Sequence, residues 1–218
     1  MPKMKADYFA QKRNEILDAA FAVCMKNPLH EVSMRDIISE VGFSQGNIYR
    51  YFSNFDEILI ALINRGAIDY DVKSAVDEAI VSDKLPEKVI KDIIGIWDKA
   101  ILDSFLGTGK ILYEVTALYA NDKERMLRFI SGNIAIENQT YLKEKFFAFI
   151  HQKVNESYFN PKQPLEDIFN LFIVSIDGII RNLIISTFYN IMPEKLQKDA
   201  VLNSLYVMLI LLLGGDET

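Results

Sequence analysis

An all-α fold is predicted by three observations on the 218-residue sequence: apolar residues recur at helical spacing, no convincing strand-period alternation is present, and the apolar runs open on Ser, Asn or Pro and close on Gly or Asn-Pro. Half of the residues are hydrophobic, ample for a packed core. The pattern divides into an N-terminal three-helix domain, residues 1–53, and a larger helical domain, residues 54–218. No internal repeat or low-complexity segment interrupts it.

After a polar arm, residues 7–27 form the first helix, with Ile16, Ala19, Ala20, Val23 and Cys24 on one face, and Asn27-Pro28 ends it. Ser33 caps the second helix, Asp36 is a weak capping-box partner, and Ile37, Ile38 and Val41 supply the buried side. Gly42 breaks that helix, because only glycine enters the left-handed region without steric penalty, and Ser44 caps the third. Ile48 and Phe52 face inward. Gln45, Gly46, Asn47, Tyr49, Arg50 and Tyr51 remain outside, a set suited to base edges and phosphates. This is a helix-turn-helix signature.

Ser53-Asn54 opens a fourth helix that runs on through Asp69 to Ala79, with Ile58, Leu59, Leu62 and Ile63 inward. Pro86 starts the next, to about Phe105, carrying Val89, Ile93, Ile96 and Trp97. Gly107-Thr108-Gly109 reads as a turn, Lys110 to Ala120 as a helix, and Lys123 to about Tyr158 as one long helix containing only Gly132. Leu165–Tyr189 and Glu194–Leu213 complete the chain. Both are more apolar than one flank of a monomeric bundle requires, so they are the expected homodimer interface, through Ile176, Asp177, Gly178, Ile180, Leu205, Met208, Leu209 and Leu212. Asp177, amid Ile173, Val174, Ile176, Ile179 and Ile180, needs a partner if buried.

The chain holds 24 basic and 30 acidic residues, a net charge of -6, which argues against indiscriminate coating of nucleic acid. The front end escapes the acidic excess: Lys3, Lys5, Lys12, Arg13, Lys26, Arg35 and Arg50 face six acids in residues 1–50. A single cysteine, Cys24, excludes an intramolecular disulfide. The N-terminus lacks a signal-peptide core and no uncharged apolar run is long enough for a membrane span, so a cytoplasmic protein without membrane partners is expected. Chemical motifs fail. Gly107-Thr-Gly-Lys110 lacks the earlier glycine and the Ser or Thr of a phosphate loop. His30-Glu31 is followed by Met34 where a zinc-protease motif needs histidine. With His30 and His151 the only histidines, no metal site, catalytic residue or cofactor is suggested.

The stretch Arg13–Leu59 resembles the tetracycline-repressor (TetR) family. Arg13, Ile16, Leu17, Ala19 and Ala20 match its first helix, and Ser33, Ile37, Gly42, Ser44, Gly46, Ile48, Tyr49, Tyr51 and Phe52 match its helix-turn-helix. Ile38 and Val41 replace the usual alanines, Phe43 the usual valine, and Pro28 a common glycine. Phe55 stands where members often carry a phosphate-contacting lysine. The resemblance implies a homodimeric regulator, a repressor by family habit, that binds a palindromic double-stranded DNA operator and is released by a small-molecule effector whose class the sequence does not reveal. In that frame Gln45 and Asn47 read base edges, Gly46 lets the backbone approach, Tyr49 and Tyr51 donate to phosphate, Arg50 reads guanine or holds phosphate, Arg35 reaches phosphate or a base edge, and Ser33 and Ser44 offer helix N-termini to phosphate. Trp97, Tyr113, Phe129, Asn133, Glu137, Tyr141 and Asp177 mix aromatic and polar groups as an effector pocket would. A dimeric helical small-molecule-binding protein without operator recognition is the alternative.

Overall fold

The computed structural model describes residues 3–67, 71–189 and 197–215, and among these it contains helices and connections but no strand. The chain forms two compact units, one of Met1–Ile68 with Thr108–Ile134, the other of Asp69–Gly107 with Ala135–Thr218. The division therefore does not fall at residue 53. The fourth helix buries Ile58, Leu59, Leu62 and Ile63 in the first unit, and a later stretch of chain returns to that unit.

In the first unit, α1 (Lys3–Lys26) is longer than expected, since the presumed arm is helical from Lys3. In its third turn the Lys12 ammonium lies 4.7 Å from the Phe43 ring centre and the Arg13 guanidinium 4.9 Å from that of Phe52. Ile16, Leu17, Ala20 and Cys24 form the buried face. Helix α2 (Met34–Val41) ends at Gly42, whose φ of 70° is the left-handed conformation expected of that glycine. Helix α3 (Gln45–Ile48) is a single turn, continued irregularly to Tyr51, whose N–H donates to the Ile48 carbonyl at 2.9 Å. Helix α4 (Phe55–Ala67) opens on a reciprocal cap, the Ser53 N–H donating to the Glu57 carboxylate at 2.8 Å and the Glu57 N–H to Asn54 Oδ1 at 3.0 Å.

Three expected boundaries move. Helix α4 does not run on to Ala79, because α5 (Val72–Ile80) starts afresh at Asp71, whose carboxylate accepts the Ser74 N–H at 3.1 Å. After α6 (Pro86–Trp97) and a π-helical segment (Asp98–Leu102), α7 (Asp103–Leu118) runs straight through Gly107-Thr108-Gly109. Glycine costs a helix only about 1 kcal/mol relative to alanine, and burial of Lys110, Ile111 and Val115 in the following turns outweighs it. The long helix expected from Lys123 is two, α8 (Lys123–Ser131) and α9 (Ile134–Asn155), broken at Gly132-Asn133.

The second unit holds α5, α6, α9, α10 (Leu165–Ile184) and α11 (Lys198–Leu213). The proposed start of the last helix at Glu194 lies outside the described residues. Trp97 lies at the centre of an aromatic cluster, 5.3 Å from the rings of both Phe146 and Phe172. By length and hydropathy Leu165–Tyr189 could cross a membrane. Here its Ile168, Phe169, Phe172, Ile176 and Ile179 side chains are buried in the core of the unit. Gly214 closes α11 with a φ of 78°, and a Cβ there would stand 2.5 Å from the Asn160 carbonyl oxygen. Any side chain would be excluded twice over.

Candidate nucleic-acid interface

The turn at Gly42 presents α3 and its continuation to solvent. Ser33, Arg35, Ser44, Gln45, Gly46, Tyr49 and Arg50 are exposed, and Asn47 and Tyr51 are half-buried. All nine sequence-predicted residues thus lie on or beside the two short helices. Ser33 and Asp36 form the expected capping box at the start of α2, and the Ser33 N–H and hydroxyl both donate to the Asp36 carboxylate, at 2.8 and 2.6 Å. Those bonds, the hydroxyl first, hold the Asp36 carboxyl below the usual aspartate range. Ser44 occupies the N-cap of α3 with no side-chain cap bond. A Cβ on Gly46 would meet nothing within 4 Å, so the protein's own packing does not demand glycine there. Phe55 is half-buried and carries no charge to the start of α4.

Behind this face the first unit is pinned by polar bonds that sequence reading missed. The buried Lys110 ammonium donates to the Cys24 and Asn27 carbonyls, both at 2.8 Å, and lies 3.1 Å from the Glu114 carboxylate. Glu114 in turn accepts the Leu29 N–H at 2.6 Å. The orphan carbonyls at the end of α1 are so satisfied by a side chain from 83 residues away. At the start of α4, Asp56 accepts two bonds from Arg125, at 2.8 and 2.6 Å, and one from the Tyr119 hydroxyl at 2.7 Å. Arg125 above all lowers the Asp56 pKa, and Tyr119 is raised, first by burial and then by Asp56. Asn64 bridges the α8–α9 turn, donating to the Gly132 carbonyl and accepting the Ile134 N–H, each at 2.7 Å. Lys110 did stand out in the sequence as part of an incomplete phosphate loop; its partners are backbone atoms, which no side-chain pattern records. Burial pushes the Cys24 thiol up to about 12.

In the second unit a cavity of about 200 Å³ is lined by Trp97, Ile136, Gln139, Thr140, Lys143, Ile173, Ile176, Asp177 and Ile180. Of the seven residues expected at an effector pocket, Trp97 and Asp177 line it. Tyr113, Phe129 and Asn133 lie in the other unit. Glu137 is exposed and bonds Lys73, and the Tyr141 hydroxyl donates to Asp77 at 2.7 Å. The phase of α9 explains the miss: 136, 139, 140 and 143 share the lining face, while 137 and 141 turn away. Asp177 is exposed at the cavity, so it needs no buried partner, although loss of water raises its pKa and Lys143 opposes the rise.

The expected dimer residues separate similarly. Ile176, Leu205 and Leu209 are buried within the chain's own core. Gly178, Ile180, Met208 and Leu212 are half-buried. The exposed apolar side chains on α10 and α11 are Leu171, Val174 and Leu211, all overlooked. Strong all-round hydropathy hides which face is outward.

A helical protein that presents a short polar helix from a glycine-turned corner is a helix-turn-helix DNA-binding protein in class. Its sequence matches the bacterial regulatory proteins of the tetR family over residues 16–62. Similarity extends to the HTH-type transcriptional regulator YfiR of Bacillus subtilis, 28% identical across 83% of this chain and 84% of YfiR. The HTH-type transcriptional repressor KstR of Mycobacterium tuberculosis is 26% identical over 42% of this chain and 40% of KstR. Among solved structures, the TetR-family regulator PfmR of Thermus thermophilus aligns over 93% of this chain and 99% of PfmR, with a TM-score of 0.59 at 15% identity. A TetR-family regulator from Cytophaga hutchinsonii aligns over 96% and 98%, with a TM-score of 0.59 at 18% identity. Residues 16–62 thus carry the helix-turn-helix domain of the tetR-family regulatory proteins, and the whole chain is similar to DNA-binding transcriptional regulators. These relatives and fold neighbours are regulators, not enzymes.

Proposed function

We propose that this chain is a cytoplasmic repressor that binds a palindromic DNA operator as a homodimer and releases it when a small molecule occupies the second unit. The observation that carries the reading is the set of exposed Gln45, Tyr49 and Arg50 with half-buried Asn47, presented just after the left-handed Gly42 corner. Amides pair in two-pronged fashion with adenine, while Tyr and Arg suit phosphate oxygens. KstR, a more distant relative, is named a repressor. The exposed Leu171, Val174 and Leu211 support pairing through α10 and α11. The cavity lined by Trp97 and four isoleucines together with Gln139, Thr140, Lys143 and Asp177 supports a small-molecule effector, since binding pockets combine an apolar wall with a few polar groups.

Selection of bound sequences from random duplex DNA tests the reading. A palindromic consensus should emerge whose affinity falls steeply with salt, and Gln45→Ala or Asn47→Ala should cost about 1 to 3 kcal/mol at one position of each half-site. Equal affinity for selected and random DNA would overturn it in favour of a binding protein without operator recognition.

A further inference from the structure

We infer that Phe9, on α1, is a positioning residue for operator binding, one that orients Tyr51 and Arg50 without itself reading DNA; the inference rests on the operator-binding reading above. Regular helix in the third element covers only Gln45–Ile48, and residues 49–51 form a turn. Arg50 and Tyr51 therefore lie beyond the segment whose side-chain directions a helix fixes by itself. Something else must hold them. The Phe9 ring lies 4.7 Å from the Tyr51 ring at an interplanar angle of 42°, and the Arg50 guanidinium lies 5.8 Å from the centre of the Phe9 ring. One aromatic side chain thus touches both groups at the end of the reading segment.

The rest of α1 keeps the same register. One turn on, Lys12 lies over Phe43 and Arg13 over Phe52, so residues 9, 12 and 13 together brace the corner and the turn from one side. Lys12 is also tied to Glu15 at 2.6 Å, which leaves it less free to serve as a phosphate contact. Phe9 is 39% exposed, more than a core role would demand. Its aromatic edge and face are instead directed to two side chains whose function is polar. Holding a guanidinium and a phenol in place before DNA arrives removes part of the ordering entropy from the binding step.

The test compares Phe9→Leu and Phe9→Tyr in the full chain, using the selected operator and random duplex DNA across a salt series. Phe9→Leu should weaken operator binding about tenfold and make the salt dependence shallower by about one unit of slope, the signature of a lost phosphate contact. Phe9→Tyr, which keeps the ring, should retain wild-type affinity and slope. In the free protein, ring-labelled tyrosine spectra should show the Tyr51 signal moving in Phe9→Leu while that of Tyr141 stays. An unchanged affinity and slope in Phe9→Leu, or an equal loss in Phe9→Tyr, would overturn the role. So would a stationary Tyr51 signal, whatever the DNA result. A wild-type chain that fails to prefer the operator would instead bring down the operator-binding reading and the Phe9 role with it.

Discussion

The two units are held together by different physics. The first joins distant parts of the chain through directional polar bonds: Lys110 to the end of α1, Asp56 to Arg125 and Tyr119, Asn64 to the α8–α9 turn. The second is packed around Trp97, Phe146 and Phe172, with Phe147 and Phe169 stacked at 3.9 Å. Apolar contacts tolerate shape changes of similar volume, whereas a two-pronged ion pair or a carbonyl clamp accepts one geometry. A reading head must present its side chains in fixed positions. Under the proposed function, a unit that accommodated a ligand would gain from walls that can repack.

The sharpest break should come from Trp97→Ala, which removes the centre of the aromatic cluster and should lower unfolding free energy by about 3 to 5 kcal/mol in urea titrations. Phe172→Leu should cost far less, about 1 kcal/mol, if that core repacks as argued. In the first unit Lys110→Met should cost about 3 kcal/mol, because it leaves the Cys24 and Asn27 carbonyls unpaired and removes the countercharge of Glu114. A loss below about 1 kcal/mol would show the clamp to be dispensable.

A smaller effect concerns acid. The Asp56 pKa is lowered on folding, by Arg125 first and with help from Tyr119, so the bond network stabilises the folded state above the ordinary aspartate pKa and is lost as pH falls through the lowered value. Between about pH 5 and pH 2 the wild type should lose urea resistance more steeply than Asp56→Asn; parallel curves would remove Asp56 from the argument. The smallest effect is chemical. Cys24, with its thiol pushed up to about 12, should resist alkylation at neutral pH until the chain unfolds. Rapid labelling of folded protein would show that the α1 core opens on its own.

Much of the reading head was legible in the primary structure because its determinants are local. Gly42 needs no distant neighbour to adopt a φ of 70°, and the spacing of Ile37, Ile48 and Phe52 is set by helix geometry. The second unit was legible only as a count of helices. Ile176, Leu205 and Leu209 read as an interface because α10 and α11 are apolar on nearly every side, yet packing turned them inward and left Leu171, Val174 and Leu211 outside. Glu137 and Tyr141 were assigned to a pocket that the phase of α9 gives to residues 136, 139, 140 and 143.

The sequence by itself determined an all-helical chain, a glycine-turned corner after α2, and a mainly polar outer face on Gln45 to Tyr51 with Ile48 turned inward, since each depends on backbone preference or on periodicity over a few residues. Tertiary structure alone decided that Lys110 closes α1, that Arg125 and Tyr119 hold Asp56, that Gly107 and Gly109 stay helical, and that Phe9 reaches Tyr51. Those contacts join residues 42 to 86 positions apart or override a local preference, and their strength comes from burial and fixed geometry that exist only once the chain has folded.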